Sequence, residues 1–236
     1  KSSFNPNYYN NSQQQQQGVQ RAGSLETSIE KSQNRISSDK DVIGGSVGGR
    51  LQEFWTIWEK EEASSYIVDL LRWGLTLKFS ATPPLTCSPI VLESYKGNPQ
   101  KHLALQQAVV ELLEKRVLEE VLIKNSPGFY GRLFLRPKPD GSWRKVIDLS
   151  ELNLYIENQS FKMETQAEIQ ASLQKGMWCT SIDLRDAYYH IPIHTQYRKF
   201  FRIALFNKIY QFRAMPMGLN VAARVFTKVM MEILKW

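Results

Sequence analysis

The sequence predicts an α+β fold, an antiparallel sheet with packed helices, on three observations. Apolar residues recur at three- and four-residue steps within 50–78, 99–123 and 221–234, the helical period. Between them, Asp140-Gly141 joins two strand-like runs, 132–136 and 143–149, a strong short-range hairpin signal. Phe200–Leu205 and Ile209–Arg213 make a second strand pair around a short turn at Asn207-Lys208.

The bulk properties narrow the class. Of 236 residues, 42% are hydrophobic, which supports a core over part of the length. Two cysteines, Cys87 and Cys179, exclude a disulfide framework and fit no metal knuckle, so a reduced, intracellular setting is expected. No apolar run approaches the ~20 residues of a membrane span, and no membrane partner is expected. The chain opens Lys1-Ser2-Ser3, with neither a methionine nor an apolar signal core, so a fragment is expected at this end. The net charge is +7, and residues 101–236 carry all of the excess, 20 Lys and Arg against 13 Asp and Glu. A basic second half suits a polyanion such as nucleic acid, or simply a soluble surface.

In chain order, 1–49 forms a Gln/Asn/Ser/Gly-rich tail with a five-glutamine run at 13–17, expected to be disordered because it has little apolar surface to offset ordering. Its last residues, Ile43 to Gly49, read as a flexible hinge. Residues 50–98 hold two short helices, broken near Ala63-Ser64-Ser65 and closed by Gly74, then a Pro-rich linker. The aromatics Phe54, Trp55, Trp58 and Trp73 read as packing. The third region, 99–236, begins with a helix over 99–123. The 132–149 hairpin follows, placing Arg136, Lys138 and Arg144 near one tip, where they could grip phosphate or be ordinary exposed edge charge. A helical turn within 150–161 and a helix from Met163 to Leu173 come next. His190 and His194 are four apart, but Pro192 prevents the helix a metal pair would need, so they read as surface or hydrogen-bonded residues. The last helix, from Val221 to Leu234, carries an apolar stripe of Val221, Val225, Val229 and Ile233, with Phe226 and Met230 beside it.

One stretch organises the rest. Ser181-Ile182-Asp183-Leu184-Arg185-Asp186-Ala187-Tyr188-Tyr189 reads as a short buried strand, Trp178 to Leu184, running into a tight turn. Alternation puts Ile182 and Leu184 on one face and Asp183 on the other. An acid at a strand end is costly to bury unless it meets a cation or a metal. Asp186, small Ala187 and two aromatics follow, so the stretch could present a metal ligand, a floor and an aromatic wall.

From about Ser126 to Trp236 the sequence resembles the fingers and partial palm of reverse transcriptases. The resemblance rests on an ordered series. Leu135-Arg136-Pro137-Lys138-Pro139-Asp140-Gly141-Ser142-Trp143-Arg144 and Val146-Ile147-Asp148-Leu149-Ser150-Glu151-Leu152-Asn153 resemble the two fingers blocks. Ser181–Tyr189 resembles the first catalytic block, and Tyr210-Gln211-Phe212 through Met215-Pro216-Met217-Gly218-Leu219, with Ala222 and Val225-Phe226, the next palm block. The Phe161–Thr165 and Arg224–Lys228 stretches, with the Gly-Gly-Arg-Leu…Phe…Trp segment at 48–58, are most similar to retrotransposons of the DIRS type.

The resemblance implies template-directed addition of deoxynucleotides to a primer 3′-hydroxyl on RNA or DNA, with two Mg²⁺ ions in the complete enzyme. It implies a catalytic metal ligand at Asp183, aided by the Leu184 carbonyl, and triphosphate contacts at Lys138 and Arg144. It implies phosphate contact and room for the 3′-hydroxyl at Asp186 and Ala187, a steric gate against ribose at Tyr188, and a place beside the sugar for Met217, where many relatives carry Gln or Phe. The implied partners are a primed template, dNTPs and the rest of a polyprotein: the remaining palm, a thumb, and an RNase H or recombinase region. The family's aromatic-x-Asp-Asp hairpin has no counterpart here, since no Asp follows Asp186. A truncated, inactive piece is therefore expected. The competing readings are a non-catalytic, domesticated nucleic-acid-binding remnant, and an unrelated basic domain with an accidental motif.

Overall fold

The computed structural model describes residues 46–87, 97–123, 125–157, 160–163 and 165–235. The tail at 1–45 lies outside the described residues. The described residues form one compact unit. Its helices are α1 (Trp55–Lys60), α2 (Ser65–Trp73), α3 (Pro99–Glu114), α4 (Ser150–Asn153), α5 (Gln166–Ser172) and α6 (Ala222–Ile233). Its strands are β1 (Leu118–Glu120), β2 (Arg132–Pro137), β3 (Trp143–Asp148), β4 (Arg202–Leu205) and β5 (Lys208–Phe212).

Two antiparallel sheets carry the fold, one of three strands in the order β1-β5-β4 and the hairpin β2-β3. Tyr210 and Phe212 of β5, with Phe201 and Ile203, are fully buried in the same core as Leu105, Val109 and Leu112 of α3. The helices before Gly74 join the same core through Trp58, Ile67, Leu70 and Leu71. Leu75 then lies beside Ile193, its amide donating to the Pro192 carbonyl at 2.7 Å. Among the described residues no helix is long and apolar enough to cross a membrane.

Several boundaries differ from the sequence reading, each for a local reason. The helix expected over 99–123 is capped by Asn98, whose side chain accepts from the Lys101 amide at 2.9 Å, but it ends at Glu114. Arg116 takes a left-handed φ of 53°, and the chain turns into β1, pairing Leu118 with Phe212. Val117 keeps the helical phase but is buried by the sheet. The β4–β5 turn falls on Phe206 and Asn207, both with positive φ (53° and 60°), as a two-residue type I′ hairpin requires. In α6, Val225 and Val229 are buried, while Ile233 is 39% exposed and Glu232 takes the buried place.

The flexible hinge is overturned at residues 46–49. The Gly48 amide donates to the Lys115 carbonyl and the Gly49 amide to the Tyr189 carbonyl, both at 2.8 Å. A Cβ on Gly48 would sit 2.1 Å from the Arg116 carbonyl oxygen. These glycines serve close backbone approach rather than freedom. The chain here is a strap, docked at once on the end of α3 and on the turn after residue 186. Gly48→Ala is expected to cost about 1–3 kcal/mol through overpacking, read as a lower midpoint in urea unfolding; an unchanged midpoint contradicts the docked strap.

Candidate active site

The hairpin β2-β3 turns Arg136 and Arg144 to one face and its buried apolar residues to the other. Leu133, Leu135 and Ile147 point inward and are buried. Arg144 is exposed, and Arg136 lies directly opposite it in the register. Like charges facing across a ladder repel. Among the described residues Arg136, Lys138 and Arg144 form no close ion pair, and Asp140, whose carboxylate feels the Lys138 charge, is the acid in the connecting turn. The loop between the strands is shaped by Asp140, whose carboxylate accepts from the Ser142 hydroxyl at 2.6 Å and amide at 2.9 Å. Those bonds lower its pKa, and Gly141 supplies the positive φ of 79°.

Alternation along β3 turns Lys145 the opposite way from Arg144, toward α3. The Lys145 ammonium donates to Glu111 at 2.6 Å. Lys115, one helical turn after Glu111, donates to the same carboxylate and to Asp186, both at 2.8 Å. A chain of alternating charge, Lys145–Glu111–Lys115–Asp186, thus joins the hairpin, α3 and the 186 turn. Burial works against each ion. It acts to raise the Glu111 pKa, but hydrogen bonds from Lys115 and Lys145 outweigh it and leave the carboxyl below its usual value. Burial likewise acts to lower Lys115, while Asp186 and Glu111 outweigh it and leave the ammonium above its usual value.

Asp186 has a left-handed φ of 56° and accepts the Tyr189 amide through its carbonyl at 2.8 Å, opening a 3-10 turn over Ala187–His190. Tyr189 is buried, and its hydroxyl pKa is pushed up to about 12 by burial first and then by Asp186 and Glu111. Tyr188 is half-buried, and its ring meets the edge of Phe226 on α6 at 5.3 Å. His190 faces the Arg185 carbonyl, and His194 accepts the Gln196 amide, as hydrogen-bonded residues.

A second tie fixes the 217–220 loop. Asn153 of α4 donates to the Gly218 carbonyl at 2.8 Å and accepts from the Asn220 amide at 3.0 Å. Gly218 has a φ of 91°, and a Cβ there would lie 2.7 Å from the Ile147 carbonyl oxygen of β3. Met217, beside it, is 49% exposed. Both the 186 turn and the 217–220 loop are therefore anchored to β3 or to the helix that follows it.

Asp183 is not where the sequence reading puts it. Residues 177–184 form no strand, and every described residue from 160 to 185 is exposed. Ile182 is 81% exposed, Leu184 45%, and Trp178 fully so. The alternation is present, but a strand needs a neighbour for its amides and carbonyls, and no described strand runs alongside. The Asp183 carboxylate therefore projects into solvent, with no hydrogen bond or ion pair among the described residues. Helix α5 stands on the same exposed stretch, stabilised by a reciprocal cap between Thr165 and Glu168. Sequence reasoning missed Lys115, Glu111, Lys145 and Asn153. Only the Glu111–Lys115 pair, at helical spacing, carries a local signal. Among the described residues no cluster of three or more His, Cys, Asp or Glu side chains could share a metal ion.

Comparison with known proteins matches residues 136–236 to the family described as reverse transcriptase (RNA-dependent DNA polymerase). The Pro-Pol polyprotein of simian foamy virus type 1 is 27% identical over 151 residues, 64% of this chain and 13% of that protein. The Pol polyprotein of caprine arthritis encephalitis virus (strain Cork) is 30% identical over 142 residues, 55% of this chain and 12% of that protein. The chain thus spans about an eighth of the length of these relatives. The crystal structure of the prototype foamy virus protease-reverse transcriptase superposes with a TM-score of 0.52 at 22% identity, covering 78% of this chain and 24% of that one. The foamy viral protease-reverse transcriptase in complex with dsDNA gives 0.53 at 20% identity, covering 78% and 42%. The fold is therefore that of reverse transcriptase fingers and palm, with the mixed helices and antiparallel sheets expected.

Two outcomes follow from the charge chain. Lys115→Met and Asp186→Asn, combined in a double-mutant cycle, are expected to show a coupling of about 1 kcal/mol in urea unfolding; additive single effects contradict the link. Glu111 has a lowered folded pKa, so its contribution to stability is present above the unfolded value near 4.5 and is lost as pH falls through the folded value. The Tm difference between wild type and Glu111→Gln should therefore shrink below about pH 4.5; a difference constant from pH 7 to 3 contradicts the assignment.

Proposed function

We propose that this chain, whose residues 136–236 match the reverse transcriptase family, supplies the fingers and the first part of the palm of an RNA-directed DNA polymerase. The reaction is template-directed addition of deoxynucleotides to a primer 3′-hydroxyl on an RNA or DNA template. The observation that carries the reading is the anchoring of two loops to β3, the strand bearing Arg144. One loop holds Asp186, Ala187 and Tyr188 through the charge chain, and the other holds Met217 through Gly218 and Asn153.

In this reading Lys138 and Arg144 neutralise the incoming triphosphate, which accounts for three cations at a tip that holds a single carboxylate, Asp140. The backbone at Asp186 and Ala187 meets phosphate. Tyr188, braced by Phe226, excludes a ribose 2′-hydroxyl. Met217 lies beside the sugar. Asp183, with the Leu184 carbonyl, would hold divalent metal, and Mg²⁺ suits such oxygen donors. One carboxylate does not complete two octahedral sites, so the residues of this chain fall short of the metal set the family chemistry uses. The isolated 236-residue chain is accordingly inactive. The length of the relatives supports further polyprotein regions as partners, alongside primed template and dNTPs. The 161–165 and 224–228 stretches support a source among DIRS-type elements.

A second reading, a non-catalytic nucleic-acid-binding protein, is favoured by one observation: Asp183 stands on an exposed stretch with no strand beside it. Anisotropy of a fluorescent dNTP titrated with the chain bound to primer-template tests the first. Arg144→Ala is expected to weaken dNTP binding about 10-fold or more, the order of one charge-assisted phosphate contact. Binding insensitive to Arg144→Ala, or absent, supports the second reading. Primer extension with Mg²⁺ and dNTPs should give no incorporation above an Asp183→Asn control, and incorporation above it overturns the claim of inactivity.

A further inference from the structure

We propose that a groove between α2, the 75–78 segment and α6 is a second binding site, for single-stranded nucleic acid. It lies mostly outside the family match and is built by the chain before residue 79 together with one face of α6. Two adjoining cavities, of about 290 and 320 Å³, share Tyr66, Leu75 and Thr76. Their floor is apolar and buried, from Leu75, Val221 and Val225.

The walls combine two features that single strands require, aromatic faces and flanking cations. Tyr66 is 42% and Trp73 55% exposed. The Arg72 guanidinium lies 4.6 Å from the Trp73 ring and 4.3 Å from Trp55, which stiffens that end. Lys78, Arg224 and Lys228 line the other end, and the Lys228 ammonium sits 4.6 Å from the Tyr66 ring. Opposing them are one carboxylate at each end, Asp69 and Glu157. The Arg224 Nε is buried without a hydrogen-bond partner, a polar group awaiting an acceptor. Burial raises the Tyr66 hydroxyl pKa against the opposing pull of Arg224, so it stays a neutral donor.

Helix geometry separates this groove from the candidate active site. Arg224 and Lys228 are one turn apart on one face of α6. Phe226, which braces Tyr188, is two residues from each and therefore faces nearly opposite. The site rests on the reverse transcriptase reading only for the choice of nucleic acid as the polyanion.

The test is anisotropy of a fluorescein-labelled oligo(dT) with the full chain across a salt series. Tyr66→Ala/Trp73→Ala should weaken binding about 10-fold or more, while Tyr66→Phe/Trp73→Phe, which keeps the rings, should bind as wild type. A blunt duplex, whose bases are stacked away, should be unaffected by either pair. Arg224→Gln/Lys228→Gln should lower the log–log salt slope by about 1 to 1.5, and Lys60→Gln/Lys175→Gln, equal in charge removed, should not. Unchanged oligo(dT) affinity in the alanine pair, equal loss for the duplex, or equal competition by poly-glutamate overturns the site. Arg144→Ala, which should alter dNTP binding alone, separates failure of this proposal from failure of the polymerase reading.

Discussion

The arrangement depends on one chain of ions, Lys145–Glu111–Lys115–Asp186, with contacts of 2.6, 2.8 and 2.8 Å. Its members come from three elements far apart in sequence. Each is partly buried, and each ion faces an opposite neighbour, so desolvation is offset along the line rather than at one pair. A single exposed pair would contribute little. The linkage matters for position more than for stability: it fixes where the 186 turn stands relative to the hairpin.

The backbone repeats the connection. The strap at Gly48-Gly49 donates to the end of α3 and to Tyr189, the same two elements that Lys115 joins. The close approach of Gly218 to Ile147 and the two bonds of Asn153 do the equivalent for the 217–220 loop. β3 is thus a common reference for a cationic tip, an aromatic turn and a small loop. Among the described residues the exposed 160–185 stretch has no comparable tie, and it bears the carboxylate of Asp183.

Elements fixed by local chemistry were legible in the sequence. The Asp140-Gly141 turn and the Gly74 helix end each follow from neighbouring residues. The ordered motif blocks made the family match over 136–236 legible as well. What failed was non-local. Ile182–Leu184 alternates as a strand does, yet no neighbour is present among the described residues to accept its hydrogen bonds. Gly48 and Gly49 have the composition of a hinge, but they are used for contact with Arg116 and Pro192. Glu111–Lys115 could be read from helical spacing, whereas the partners 34 and 71 residues away could not.

Amide hydrogen exchange of a Lys145→Met variant tests the central claim most directly. The account predicts faster exchange at the 187–190 amides, including that of Tyr189, with β4 and β5 unchanged. Exchange at 187–190 equal to wild type, with the hairpin still folded, would contradict it.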